Sequence, residues 1–87
     1  MPGIARVGVD TAGGLITGGG QSTVFVNSSL AAVIGDAVAS HGSSPHDTAV
    51  MVGGSTTVFI EGIGVCRAGD LASCGDSATG SADVNAD

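Results

Sequence analysis

With 87 residues, a formal charge of −6 and two basic side chains against eight acidic ones, the chain has room for one domain and none for a basic stripe. Nucleic acids and anionic membrane surfaces, both of which select for Lys and Arg, are therefore excluded as expected partners. Two Phe, no Trp or Tyr and 16 Gly leave a core of Val, Ala and Ile. A core that thin in a domain this small points to a metal or a docked partner as a further source of stability. No apolar run is long enough to span a bilayer, and Met1-Pro-Gly-Ile-Ala-Arg6 has neither a basic start nor an apolar stretch. The expectation is synthesis in the cytoplasm without a signal peptide. Two cysteines, Cys66 and Cys74, are too few for a disulfide framework, and a cytosolic origin disfavours a bridge between them.

In chain order, Ile4-Ala-Arg-Val-Gly8 comes first, and Leu15-Ile-Thr17 is a candidate strand ending in glycines 18–20, which suit a tight turn. Thr23-Val-Phe-Val26 is a β-branched and aromatic run that reads as a strand, with Asn27-Ser-Ser29 as a hairpin tip. Ser29–Ser40 has a briefly helical composition. Its later counterpart carries Gly62 and Gly64, which argues against a helix. Ala49-Val-Met-Val52 is a further strand candidate before Gly53 and Gly54. Thr57-Val-Phe-Ile60 and the tip Glu61-Gly-Ile-Gly64 follow.

These segments repeat. Ser22-Thr-Val-Phe-Val-Asn27 is followed by Ala31-Ala-Val-Ile-Gly-Asp36 and Ser40-His-Gly42. Thr56-Thr-Val-Phe-Ile-Glu61 is followed by Val65-Cys-Arg-Ala-Gly-Asp70 and Ser73-Cys-Gly75. Val24 matches Val58, Gly35 matches Gly69 and Asp36 matches Asp70 at one constant offset, which sets Cys74 close to the place of His41. Ile4-Ala-Arg-Val-Gly8 is a third copy of the turn, with Gly8-Val-Asp10 one residue out of register. Gly80-Ser-Ala-Asp-Val84 is a degraded third copy of the strand. Three copies of each half, with one copy cut by the chain ends, describe a circularly closed unit. The expected fold is all-β, a small cone of three β-hairpin repeats around a pseudo-threefold axis, in one domain over 1–87. Repetition makes Asp36 and Asp70 architectural, each carboxylate capping its own turn, with Arg6 and Arg67 expected to pair with such carboxylates across repeats.

Gly54-Ser-Thr-Thr-Val-Phe-Ile60, Val65-Cys-Arg-Ala-Gly-Asp70, Ala39-Ser-His-Gly42 and Ser73-Cys-Gly75 together resemble the PAAR-repeat proteins, and the resemblance spans essentially the whole chain. The match has departures. The Pro-Ala-Ala-Arg box reads Gly3-Ile-Ala-Arg6, Leu30-Ala-Ala-Val33 and Gly64-Val-Cys-Arg67. Thr11-Ala-Gly-Gly14 stands where relatives often carry a His, and Cys74-Gly-Asp76 where many have Cys-Gly-His. The resemblance implies a β cone whose broad base docks on a trimeric β-helical spike (VgrG-like or a phage central spike). Its metal-pinned apex meets the target membrane first, in a type VI secretion system or a contractile phage tail. The implied location is the virion tail tip or a secreted injection apparatus.

From spacing alone, His41 and His46 across a Ser-Ser-Pro turn are either metal ligands or solvated loop histidines. The resemblance implies His41, His46 and Cys74 as ligands of one structural ion, zinc or iron, since thiolate with imidazole favours these over Mg or Ca. For the fourth ligand Asp76 is favoured, with Asp47 and a water as competitors. Cys66 aligns with Ala5 and Ala32 and reads as a small buried hydrophobe. No enzyme is expected: the tip role is structural, with an apolar base from the Val/Phe/Ile strands and no toxin extension beyond Asp87. The rival is a small metal-dependent hydrolase with three zinc ligands and a water.

Overall fold

Val26 and Ile60 are buried at matching positions of two hairpins, and the rest of the architecture can be counted from them. The computed structural model describes residues 2–87, which contain no helix. The strands are β1 (Thr11–Ala12), β2 (Gly14–Gly18), β3 (Phe25–Val26), β4 (Ser29–Leu30), β5 (Ala37–Val38), β6 (Phe59–Ile60) and β7 (Ile63–Gly64). All pairing is antiparallel: β1-β2-β5 form one sheet, β3-β4 a hairpin and β6-β7 its equivalent. Phe25 faces Leu30 across the first hairpin as Phe59 faces Gly64 across the second. Both tips turn through two residues of positive φ, Asn27 at 52° and Ser28 at 72°, then Glu61 at 52° and Gly62 at 80°. This is the two-residue turn whose twist matches paired strands.

The third hairpin is assembled from the two ends of the chain. The Ala31 N–H donates to the Val24 carbonyl at 3.0 Å, Val65 to Val58 at 3.1 Å, and Ile4 to Val84 at 2.8 Å. Gly3 pairs with Asn85, and the Ala86 N–H donates to Pro2 at 3.0 Å. Between the copies runs a closed cycle: Ala5 N–H to the Cys66 carbonyl at 2.9 Å, Cys66 N–H to Ala32 at 2.8 Å, and Ala32 N–H to Ala5 at 2.9 Å. The three side chains of this cycle are fully buried, which is why only Ala and Cys occupy it. The pseudo-threefold organisation is therefore a property of the backbone.

Alternation along these segments divides the core. Ala5, Ala32 and Cys66 join Ile16, Val38, Met51 and Ala72 in one cluster. Their neighbours Ala31, Val33 and Val65 join Val26, Ile60 and Ala86 in the other. The first cluster leads to the loops carrying the histidines and Cys74; the second is the floor of the hairpins. The molecule measures 32 × 23 × 22 Å. One long axis and two nearly equal short ones fit a threefold cone.

Two expectations need correction. The strand runs are shorter than 23–26 and 57–60, because a buried side chain takes their first N–H groups. Gln21 Oε1 accepts from Thr23 and Val24 at 2.8 and 2.9 Å, and Ser55 Oγ accepts from Thr57 and Val58 at 3.1 and 2.8 Å. Ser81 does the same for Asp83 and Val84. Residues 49–52 likewise supply only the bridges at Val50 and Met51.

The arginines pair within their own turn and not across repeats: Arg6 Nε with Asp10 at 2.7 Å and Arg67 Nε with Asp70 at 2.9 Å. Each of these carboxylates also accepts the backbone N–H of its arginine, at 2.9 and 2.8 Å. Asp10 thus does the work of Asp36 and Asp70 despite its shifted register. Where Val33 replaces the arginine, the almost wholly buried Asp36 accepts instead from the Val33 N–H at 2.9 Å and the Gly20 N–H at 2.8 Å.

Removing Asp36 leaves the buried Val33 N–H and the half-buried Gly20 N–H without their partner. We expect Asp36→Ala to cost about 3 kcal/mol, and Asp70→Ala, at a more exposed turn, about 1 kcal/mol. Thermal unfolding of the two variants checks the order. At Asp10, burial alone would raise the carboxyl. Hydrogen bonds from Arg6 and Thr79, with the Arg6 charge, outweigh it and leave the pKa below its ordinary value of 3.8. A folded-state pKa that is depressed gives stability present above the unfolded value and lost as pH falls through the folded one. Below about pH 4 the wild type is therefore expected to lose stability more steeply than Asp10→Asn in parallel denaturant titrations.

Candidate metal centre

The loop 39–48 leaves β5 where the Ala39 N–H donates to the Leu15 carbonyl at 2.7 Å. It folds back through His41 N–H to the His46 carbonyl at 3.1 Å and His46 N–H to Ser43 at 2.8 Å, which turns both imidazoles inward. The loop 73–76 is tighter. Gly75, at φ 92°, donates to Ala72 at 2.9 Å, and Ala72 donates back to Asp76 at 2.9 Å. The two loops are stitched through Val50, whose carbonyl accepts from the Ser73 N–H at 2.7 Å and whose N–H donates to Ser73 Oγ at 3.1 Å.

His41, His46, Cys74 and Asp76 consequently offer four ligand atoms within 4.8 Å of one another. His41 Nε2 lies 2.8 Å from Asp76 Oδ2, 3.2 Å from His46 Nδ1 and 3.6 Å from Cys74 Sγ. Asp76 Oδ2 lies 3.2 Å from His46 Nδ1 and 3.4 Å from Cys74 Sγ. A tetrahedral ion with bonds of about 2.1 Å to N or O and about 2.3 Å to S requires edges of about 3.4 Å between N or O donors and about 3.6 Å to sulfur. Four of the five separations fall within a few tenths of an ångström of those edges, and the His41–Asp76 pair is somewhat shorter.

The chemistry of the donors agrees. His41 Nδ1–H donates to the Ala39 carbonyl at 2.9 Å, so in the neutral ring Nε2 carries the lone pair, and this lone pair points at the other three groups. Two imidazole nitrogens, a thiol and a carboxylate facing one another are a donor set suited to one cation, and they also satisfy one another by hydrogen bonds. His41 is raised above its ordinary value by its bond to Ala39 and by Asp76, and Asp76 is lowered by its bonds from His41 and Cys74. The His41 side chain is more enclosed, at 15% exposure, than His46 at 36% or Asp76 at 38%.

Asp47, the competing fourth ligand, is not part of the group. Cys66 lies in the core, its Sγ donating to the Gly53 carbonyl at 3.3 Å and its thiol pushed up to about 12, chiefly by burial. Both cysteines are free. What the sequence did not reveal is the role of the first repeat. Its segment Thr11-Ala-Gly-Gly14 supplies no donor, yet its backbone forms a wall of the site. A Cβ on Gly13, at φ 83°, would run into Asp76 Oδ2 and come within 2.5 Å of His41 Nε2; one on Gly14 would meet the Ala39 carbonyl and lie 2.8 Å from His41 Nδ1. The only signal available was the glycine pair itself.

The PAAR motif family matches residues 5–84, nearly the whole chain. The chain belongs to the PAAR-motif family. A search of curated proteins finds no match. PAAR motif proteins are known from the spike tips of type VI secretion systems and phage tails, where their role is structural rather than enzymatic.

Gly13→Ala should weaken metal binding by at least ~10-fold, because the new methyl displaces two of the four donors. Gly69→Ala is the control. It has a similar φ of 92° but open space at its Cβ, so it should lose stability with its metal content unchanged. Metal titration of both variants separates the two effects.

Proposed function

We propose that this protein is the structural tip that caps the trimeric β-helical spike of a contractile injection machine and sharpens it for piercing a target envelope. The observation that carries the reading is the closed threefold backbone over the region matched by the PAAR motif family. A pseudo-threefold chain can sit on the axis of a trimer and meet each subunit with an equivalent hairpin, covering strand edges that would otherwise stay open. The four-donor cluster supports the same reading. It joins two of the three loops, and its Cys74 packs against the core cluster that excludes the buried hairpin residues Val26 and Ile60.

On this proposal His41, His46, Cys74 and Asp76 hold one structural zinc ion. Zinc suits a closed tetrahedral set containing a thiolate, and iron is the alternative metal. Bound there, the ion supplies a cross-link and no reaction step. The protein's own contribution is to aim His41 through Ala39, wall the site with Gly13 and Gly14, and anchor the two loops through Val50. Because the unfolded chain has no such site, metal affinity adds to folding free energy, which matters in a core with so few large side chains. The one-domain organisation over 1–87 and the location at a tail tip or secretion apparatus belong to this proposal as well.

Co-purification with trimeric β-helical spike fragments, combined with metal analysis, tests it. One chain per trimer and one equivalent of zinc is the expected result. Chelation or Asp76→Ala should lower Tm by ~10 °C or more, while Asp76→His should keep the metal. A metal-free chain of unchanged stability that no spike retains would contradict the proposal, as would zinc-dependent hydrolytic turnover.

A further inference from the structure

At the hairpin end the three copies are not equal. Phe25 in β3 and Phe59 in β6 hold matching positions and are exposed to nearly the same degree, 59% and 56%. Each is preceded by an exposed valine, Val24 or Val58. The third copy has Asn85 in the phenylalanine position, fixed there by its pairing with Gly3, and Asn85 is also exposed. Two exposed phenylalanines are the whole aromatic supply of the chain. A core this short of large side chains would be expected to bury them. Leaving both outside at equivalent places marks a contact surface.

The charge around them is of one sign. The tip residue of each hairpin bonds to a neighbouring copy: Glu61 accepts from Thr23 Oγ1 at 2.8 Å, Asn27 Nδ2 donates to Asp83 at 2.9 Å, and the Asp87 carbonyl accepts from Thr57 Oγ1 at 3.4 Å. Glu61, Asp83 and Asp87 thus form an acidic rim, while both arginines of the chain are held by Asp10 and Asp70.

We infer that the hairpin end is read by a threefold protein end that presents the same site three times, an apolar pocket bordered by Lys or Arg, and that only two of the three pockets are filled. Phe25 and Phe59 each enter one pocket, and Asn85 faces the third without filling it. The inference rests on the spike-capping reading and adds to it the residues that fix affinity and a contact left unused. The threefold backbone sets the occupant's symmetry, the phenylalanines set the apolar pocket, and the acidic rim sets its charge.

The test uses the full chain with its metal and the trimeric β-helical spike fragment that retains it. Phe25→Ala and Phe59→Ala should each weaken binding ~30-fold or more, by similar factors, with Tm and metal content unchanged because both rings are exposed. Asn85→Phe should tighten binding ~10-fold, and raising NaCl from about 0.1 to 0.5 M should weaken all forms. Phenylalanine variants that bind within ~3-fold of wild type would overturn the inference while leaving spike capping intact, and an Asn85→Phe variant that gains nothing would overturn the unused third contact. If no trimer retains the wild type, spike capping and this inference fall together.

Discussion

Three backbone hydrogen bonds that hand on from Ala5 to Cys66, from Cys66 to Ala32 and from Ala32 back to Ala5 set the frame for everything else. A cycle of this kind has no free edge, and it draws the first residues of the chain and both internal repeats onto one axis. Side chains at its corners must be small, since three of them meet there. Alternation along these segments packs Ala5, Ala32 and Cys66 with Ile16 and Met51, and Val33 and Val65 with the hairpin residues Val26 and Ile60. Local propensity contributes little: apart from β2 each strand is two residues long. The closure, and the turn carboxylates Asp10, Asp36 and Asp70 that fix each copy, hold such fragments in place.

On this symmetric frame the two ends have diverged in ways that suit different tasks. Around the donor cluster, only two loops carry ligand atoms and the third carries glycines. This lets four groups from two loops approach as closely as one ion requires. At the other end two copies carry phenylalanine and the third carries asparagine. Symmetry supplies the address, three equivalent places on one axis, and individual substitutions decide what each place does. The same economy appears at the turns, where the loss of an arginine at Val33 is met by the Gly20 N–H reaching the orphaned carboxylate.

The repeat was legible because it reads at one offset: Val24 against Val58, Gly35 against Gly69, Asp36 against Asp70. With the third turn copy at Ile4–Gly8 and the degraded strand copy at Gly80–Val84, that sufficed for an all-β threefold fold with a copy divided between the chain ends, and for placing Cys74 close to the position of His41. Strand lengths were not legible. Whether Thr23 and Val24 extend a strand or close a turn depends on the buried Gln21 amide, a tertiary fact. The arginine pairing was misjudged across repeats because a spacing of three or four residues within a turn is as available as a partner in the next copy, and only geometry decides. The segment 11–14 was visible as lacking a histidine, but its Gly13 was not visible as a wall, since its value lies in atoms it does not have.

On the proposed function, the four convergent donors hold a metal that locks two repeats together. X-ray absorption at the zinc edge on the protein as purified tests this at the atoms concerned. One sulfur at about 2.3 Å and three nitrogen or oxygen neighbours at about 2.0–2.1 Å, with no shell of six oxygens, is the spectrum expected of such a site. A spectrum without sulfur, or zinc surrounded by water oxygens alone, would contradict the proposed site.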